Sequence, residues 1–472
     1  MKRPILALGI LAAGLIPVGP SHIAQAAEQP NIVYILADDL GYADLSCYGQ
    51  EKFQTPEIDR LAAAGLRFTQ HYSGSTVCAP SRCSLLTGLH PGHAQIRGNK
   101  PVQPIGQFPL EADTLTVASL LQDHGYATGA FGKWGLGYPG SSGDPLNQGF
   151  DTFFGYNCQR NAHNYYPDFL YEDDRRMELD GETYSHDLIV DRALAFIREN
   201  RDRPFFCFLP VAIPHSALQA PPDTIDRWRE VFPEFDPIQD DYTMFFETTV
   251  TNPVAAYAAM VTRLDRDVGR VVDLLDELGI REDTLVLFSS DNGPADAGGN
   301  RPAFWDSNGP FRGIKRDLYD GGIRVPMIAY WPGVVPAGKV TDHLSAQWDL
   351  LPTVADLIGA EIETKIDGLS LLPTLTGQAE AQVEHDYLYW EFDRKGGRQA
   401  IRKGPWKAVR YNTLTDPDAP IEIYHVEADP GENHDFAKDL PELTAEMAAL
   451  FEEARVPNPH FPIFPEESRA SE

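Results

Sequence analysis

The chain has 472 residues, 69 of them acidic and 39 basic, for a formal net charge of −30. So acidic a surface excludes a general nucleic-acid or anionic-membrane binder, and any anionic substrate needs a local cationic pocket. Five cysteines in this length exclude a disulfide scaffold.

Lys2-Arg3, an apolar run from Ile5 to Val18, and Ala24-Gln25-Ala26 follow the order of a secretory signal peptide over residues 1–26. Cleavage after Ala26 predicts a periplasmic or secreted protein. The apolar run is too short for a comfortable membrane span, and no other membrane segment is expected. The remaining length exceeds the roughly 250–300 residues that one core serves. Two domains are therefore expected, over 27–375 and 385–472.

Asn31–Ala37 (NIVYILA) is a continuous apolar run, as in a strand buried on both faces. Val77–Gly88 (VCAPSRCSLLTG) sets Cys78 just before a helix start, with Pro80 and Ser81 in the first turn. A thiol there is expected to have a depressed pKa and to be reactive. It could be a nucleophile, half of a disulfide, or a residue that the cell processes further. Asp113–His124 reads as a helix, with Asp113 as N-cap and Gly125 as C-cap. Tyr126–Phe131, Phe205–Ala212 and Thr284–Ser289 read as further strands, the second burying Cys207. Between the last two, Asn252–Leu278 has the spacing of an amphipathic helix. This alternation predicts an α/β fold with a mostly parallel sheet flanked by helices. Thr376–Glu384 is a polar linker. Four short strands follow it, Tyr387–Glu391, Gln399–Arg402, Trp406–Tyr411 and Ile421–His425, and then a helix from Leu440 to Arg455. These predict a smaller C-terminal domain of antiparallel sheet plus helix.

Polar residues follow the strands: Asp38-Asp39, Lys133, His215 and Asp291-Asn292. In a parallel sheet they emerge along one edge, where open α/β sheets place their sites. Asp38, Asp39, Asp291 and Asn292 are oxygen donors that would suit Ca²⁺, or alternatively Mg²⁺. N-capping of the following helices is the competing explanation. Lys133, Lys315 and His215 carry weight only if they border the same pocket.

Cys78-Ala79-Pro80-Ser81-Arg82 matches the C-x-P-S-R signature of the formylglycine-dependent sulfatases. ILADDLGYADLSCYG, FGKWGLG, SSDNGP, FRGIKRDLYDGGIRVP and IYHVEADPGENHD also resemble segments of that family, in its order. The resemblance implies an alkaline-phosphatase-like fold. It also implies oxidation of Cys78 to formylglycine by a maturation enzyme, and hydrolysis of sulfate esters through the aldehyde hydrate. By position it assigns Asp38, Asp39, Asp291 and Asn292 to Ca²⁺, Arg82 to support of residue 78, and Lys133 and Lys315 to the sulfate oxygens. His215 takes the place of the acid near the leaving oxygen. The commoner family block reads G-K-W-H where this chain has Gly132-Lys133-Trp134-Gly135. Open space is expected at Gly135, filled by His163 or by substrate. Asn157–Tyr171 and Phe304-Trp305 suit sugar rings, so Arg160, His163 and Trp305 are expected substrate contacts, with ordinary packing as the alternative. The implied substrate is a sulfated carbohydrate, with galactose-type 4-sulfate as one option. A phosphoester hydrolase of the same superfamily and an inactive carbohydrate-binding homologue are the rival readings.

Overall fold

The computed structural model describes residues 29–236, 239–242 and 248–469. The signal-peptide expectation lies outside the described residues. Five parallel strands form the centre of a ten-stranded sheet. In spatial order they are β4 (Thr284–Ser290), β1 (Asn31–Ala37), β3 (Phe205–Pro210), β2 (Ala127–Lys133) and Thr152–Tyr156. Met327–Tyr330 joins antiparallel on one side and Phe169–Glu172 on the other. The sheet is thus mixed at its flanks and parallel where the sequence runs are most apolar.

Both faces are covered, which explains the continuous apolar runs. Val33, Ile35 and Ala37 of β1 face a core shared with Val261, Leu264 and Val268 of helix α2 (Pro253–Glu277). Ile32, Tyr34 and Leu36 face a second core with Leu85 and Leu86 of helix α1 (Cys78–Thr87). Asn252 caps α2 through Oδ1, which accepts from the Ala255 amide at 2.9 Å. No helix among the described residues is long and apolar enough to cross a membrane.

The helix expected from Asp113 is shorter, running Val117–Asp123. Thr116 Oγ1 accepts from the Ser119 amide at 3.0 Å, and Ser119 Oγ accepts from the Thr116 amide at 2.9 Å. That reciprocal capping box satisfies two donors where a lone aspartate would satisfy one. Asp113 instead adopts a left-handed turn conformation, φ 62°.

Beyond the polar segment lies a separate antiparallel sheet of four strands, Leu388–Phe392, Arg398–Lys403, Trp406–Tyr411 and Ile421–His425. One face packs Trp390, Ala400 and Val409 against Tyr72, Leu318 and Trp348. The other packs Tyr389, Ile401 and Ala408 against Met447 and Phe451 of the helix Pro441–Glu453. Lys407, fully buried on this sheet, pairs with Asp320 at 2.8 Å and Glu432 at 3.0 Å. Asp320 in turn pairs with Arg324 at 3.2 Å. This cluster anchors the small sheet to the segment that carries Lys315. Removing one partner from a buried ion cluster strands the others. Lys407→Met is therefore expected to cost about 3–5 kcal/mol in urea denaturation, with loss of the small sheet's protection in hydrogen exchange.

Candidate active site

The site follows from strand register. Ala37 of β1 pairs with Ser290 of β4, so the next residues, Asp38-Asp39 and Asp291-Asn292, leave the sheet side by side. The Asp291 amide donates to Ala37 O at 3.0 Å, and the Asp39 amide donates to Asp291 Oδ1 at 3.2 Å. Asp39 holds a left-handed backbone, φ 64°, a conformation that costs energy and clusters at functional positions. Lys133 ends β2, and His215 follows β3 by a short turn. All reach the carboxyl edge of the parallel strands.

Helix α1 brings Cys78 over this edge. Its first residue is Cys78, and Val77 offers no side-chain cap. Asn99 Oδ1 supplies one instead, accepting from the Ala79 amide at 3.1 Å. Gln347 ties the helix to β4: its Oε1 accepts from Ser81 Oγ at 2.6 Å and its Nε2 donates to Ser290 O at 2.7 Å. Cys78 Sγ then lies 3.4 Å from Lys133 Nζ, 3.3 Å from Lys315 Nζ and 3.5 Å from Asp38 Oδ1.

Beneath it the charges interlock. Arg82 Nη2 is 2.9 Å from both Asp38 Oδ2 and Asp291 Oδ2, and Lys133 Nζ is 2.6 Å from Asp38 Oδ2. Lys315 Nζ pairs with Asp39 Oδ1. Burial opposes the Asp38 charge, but Lys133, His215 and Arg82 beside it hold its carboxyl well below the usual range. Burial and the neighbouring Asp38 carboxylate push Asp291 upward. One oxygen stands out: Asn292 Oδ1 is buried and accepts no hydrogen bond among the described residues, while Asn292 Nδ2 donates to Asp39 Oδ1 at 2.7 Å. Ligand atoms of Asp38, Asp39, Cys78 and His215 lie within 4.8 Å of one another. Three buried carboxylates and an orphaned amide oxygen form a donor set that fits a hard divalent cation.

The thiol differs from the expectation of a depressed pKa. Burial, with Asp38 adding to it, pushes Cys78 up to about 12, outweighing the two lysines and the helix start. Cys78 and Cys83 are both free thiols, as are the other three cysteines.

Cys78 opens into a cavity of about 290 Å³ that Lys133, Lys315, His163, His215, Arg160 and Arg316 help to line, with no acidic residue in its wall. The His163 and His215 rings meet edge to face at 4.6 Å between centroids. His215 Nδ1 donates to Ser216 O, leaving Nε2, 3.5 Å from Asp39 Oδ2, without the proton in the neutral ring. Burial and Lys133 push this imidazole down to about 4. Trp305 is not among the lining residues. It lies 1 % exposed in an aromatic cluster, with the Phe53 and Phe232 rings at 5.3 Å and Tyr257 at 5.7 Å. Its large apolar surface goes to the core.

The space directly beside Gly135 is taken by Gln159. A Cβ built on Gly135 would meet Gln159 Cγ at 2.8 Å and Nε2 at 2.9 Å. Gln159 is buried, lines the cavity, and its Nε2 has no hydrogen-bond partner among the described residues. Sequence reasoning missed Gln159, Asn99 and Gln347; Gln159 lies within the quoted CQRNAHNYYP segment, but only the fold reveals its proximity to residue 135. Gly135 also sits at φ 87°, so a side chain there is strained twice over. Gly135→His is expected to lower stability by about 1–3 kcal/mol in urea denaturation. Adding Gln159→Ala should recover part of that loss, whereas an unchanged cost would contradict the steric contact.

A family model described as Sulfatase matches residues 30–360, and one described as N-sulphoglucosamine sulphohydrolase, C-terminal, matches residues 312–456. Human arylsulfatase A is 31 % identical over 95 % of this chain and 89 % of its own. Rat N-acetylgalactosamine-6-sulfatase is 32 % identical over 98 % and 84 %. The crystal structure of Ps i-CgsB in complex with k-i-k-neocarrahexaose superposes with a TM-score of 0.76 at 30 % identity, covering 90 % of this chain and 92 % of that one. With the family blocks in order and a matching architecture over nearly the whole described chain, the protein belongs to the sulfatase family, sulfuric ester hydrolases of the alkaline phosphatase superfamily.

Proposed function

We propose that this sulfatase is periplasmic or secreted and removes sulfate from carbohydrate, working through Cys78 matured to formylglycine. One observation carries the reading: residue 78 stands between Lys133 and Lys315, directly over three buried carboxylates, at the base of a cavity with cationic walls. A thiol sulfated at this position would have no way to release the sulfate, whereas the second hydroxyl of an aldehyde hydrate can expel it. An aldehyde hydrate at the same place offers a hydroxyl that needs no thiolate. A formylglycine-generating maturation enzyme is then the protein's necessary partner, acting before the buried site closes.

Asp38, Asp39, Asp291 and Asn292 would hold a hard divalent cation, Ca²⁺ by preference and Mg²⁺ as the alternative. When bound it polarises the sulfate oxygens and favours the ionised nucleophile. Lys133 and Lys315 bind those oxygens and meet the charge that builds up in the transition state. Arg82, bonded to Asp38 and Asp291, keeps the base of the site in place under residue 78. His215 Nε2, unprotonated in the neutral ring, faces the site and must take up a proton before passing it to the leaving sugar oxygen, and His163 packs against its ring. His163 and Arg160 contact the sugar. A galactose-type unit is favoured because two relatives are named for such substrates: an N-acetylgalactosamine-6-sulfatase, and a structure solved with a neocarrahexaose.

Two outcomes test this. Active protein should carry formylglycine or its hydrate at residue 78 in peptide mass spectrometry, and Cys78→Ala should abolish turnover without unfolding the chain. An active preparation holding only the thiol would contradict it. A panel of sulfated galactose and N-acetylgalactosamine saccharides, read by released sulfate, should contain substrates turned over faster than aryl phosphate. Preference for the phosphate ester would favour a phosphoester hydrolase.

A further inference from the structure

The cavity holds two cations that sulfate binding at residue 78 does not use, Arg160, assigned above to the sugar, and Arg316. Arg316 follows Lys315 directly and lines the same cavity. Its backbone is held in the left-handed region, φ 78°, a conformation a bulky residue keeps only when its surroundings enforce it. They do so here. The Arg316 amide donates to Thr76 O at 3.1 Å and to Thr76 Oγ1 at 2.8 Å, and Arg316 O accepts from Arg398 Nη1. The arrangement also commits the carboxylate next in sequence elsewhere. Asp317 Oδ1 pairs with Arg398 Nη1 at 2.7 Å, and Asp317 Oδ2 accepts from the Ile314 amide at 3.2 Å. The Arg316 guanidinium is left with no hydrogen bond or ion pair among the described residues.

In a chain with 69 acidic residues to 39 basic ones, a half-buried arginine without a carboxylate partner is unusual. Lys133 and Lys315, by contrast, are each engaged by a buried aspartate. The cavity wall offers Arg316 no acid. Its planar fork suits a sulfate or carboxylate, which it can hold through two parallel bonds.

We propose that Arg316 forms a second anion subsite, separate from the one at residue 78. The substrate would then be a saccharide carrying at least two anionic groups: the sulfate that is cleaved, and a second sulfate or a uronate carboxylate that stays. Arg316 is on this account a specificity-determining residue. The inference rests on the proposed activity toward sulfated carbohydrate, and it narrows the substrate class.

The test uses pairs of galactose- and N-acetylgalactosamine-containing disaccharides, each with one sulfate and with a second sulfate or a carboxylate added. In the wild-type enzyme the two-anion member of at least one pair should have the higher kcat/KM by about 10–100-fold, the worth of one charge-assisted pair. Most of that difference should lie in KM. Arg316→Gln should bring the ratio toward one, and Arg316→Lys should keep part of it. Equal kcat/KM within every pair, or an unchanged ratio in Arg316→Gln, would overturn the subsite. Binding to Cys78→Ala protein, measured by calorimetry with and without Arg316→Gln, separates the two readings. If no pair releases sulfate but the two-anion sugars bind more tightly through Arg316, the activity reading fails and the subsite stands. If sulfate is released and neither binding nor turnover distinguishes the pairs, the subsite fails alone.

Discussion

Three carboxylates buried at one sheet edge are the constraint on which the rest of this site depends. Asp38, Asp39 and Asp291 are all within 3 % of full burial, and charges so placed survive only if countercharges and hydrogen bonds meet them. The parallel register of β1 and β4 forces them together. Arg82, Lys133 and Lys315 answer them from three different elements: helix α1, the end of β2, and the loop after β4. Each cation therefore fixes the position of its element relative to the sheet. The placement of Cys78 is a consequence, since Arg82 sits one helical turn further along the same helix.

The arrangement also reconciles an acidic protein with an anionic substrate. The carboxylates lie underneath, and Lys133, Lys315 and His215 lie between them and the cavity. A small anion entering the cavity meets only cationic and neutral groups. A polyanion such as nucleic acid meets the net negative surface first. Selection by charge is local, and the enclosed shape of the cavity restricts it to groups that can enter.

Much of the fold was legible because its strands are buried on both faces. NIVYILA and TLVLFSS are runs that no half-exposed element tolerates, and the residues just after them had to share an edge once the strands were parallel. The pieces that were not legible depend on contacts distant in sequence. The thiol of Cys78 was expected to be acidic from its helix start, but its burial, with the Asp38 carboxylate beside it, prevails. Trp305 was expected at the sugar, yet Phe53, more than two hundred residues away, helps enclose it. Gly135 signalled missing bulk but not what fills it, because Gln159 reaches it from the neighbouring strand's loop. The start of the helix at Val117 turned on a capping box that a lone Asp113 obscured.

Metal content most directly tests the claim that the buried carboxylates and the orphaned Asn292 Oδ1 exist to hold a hard cation. Purified active protein, passed through chelating resin and analysed by plasma mass spectrometry, should retain about one equivalent of Ca²⁺ or Mg²⁺ per chain, consistent with a single oxygen-donor cluster. Asp291→Ala protein, still folded, should retain none. Fully active wild-type protein free of any divalent metal would contradict the account.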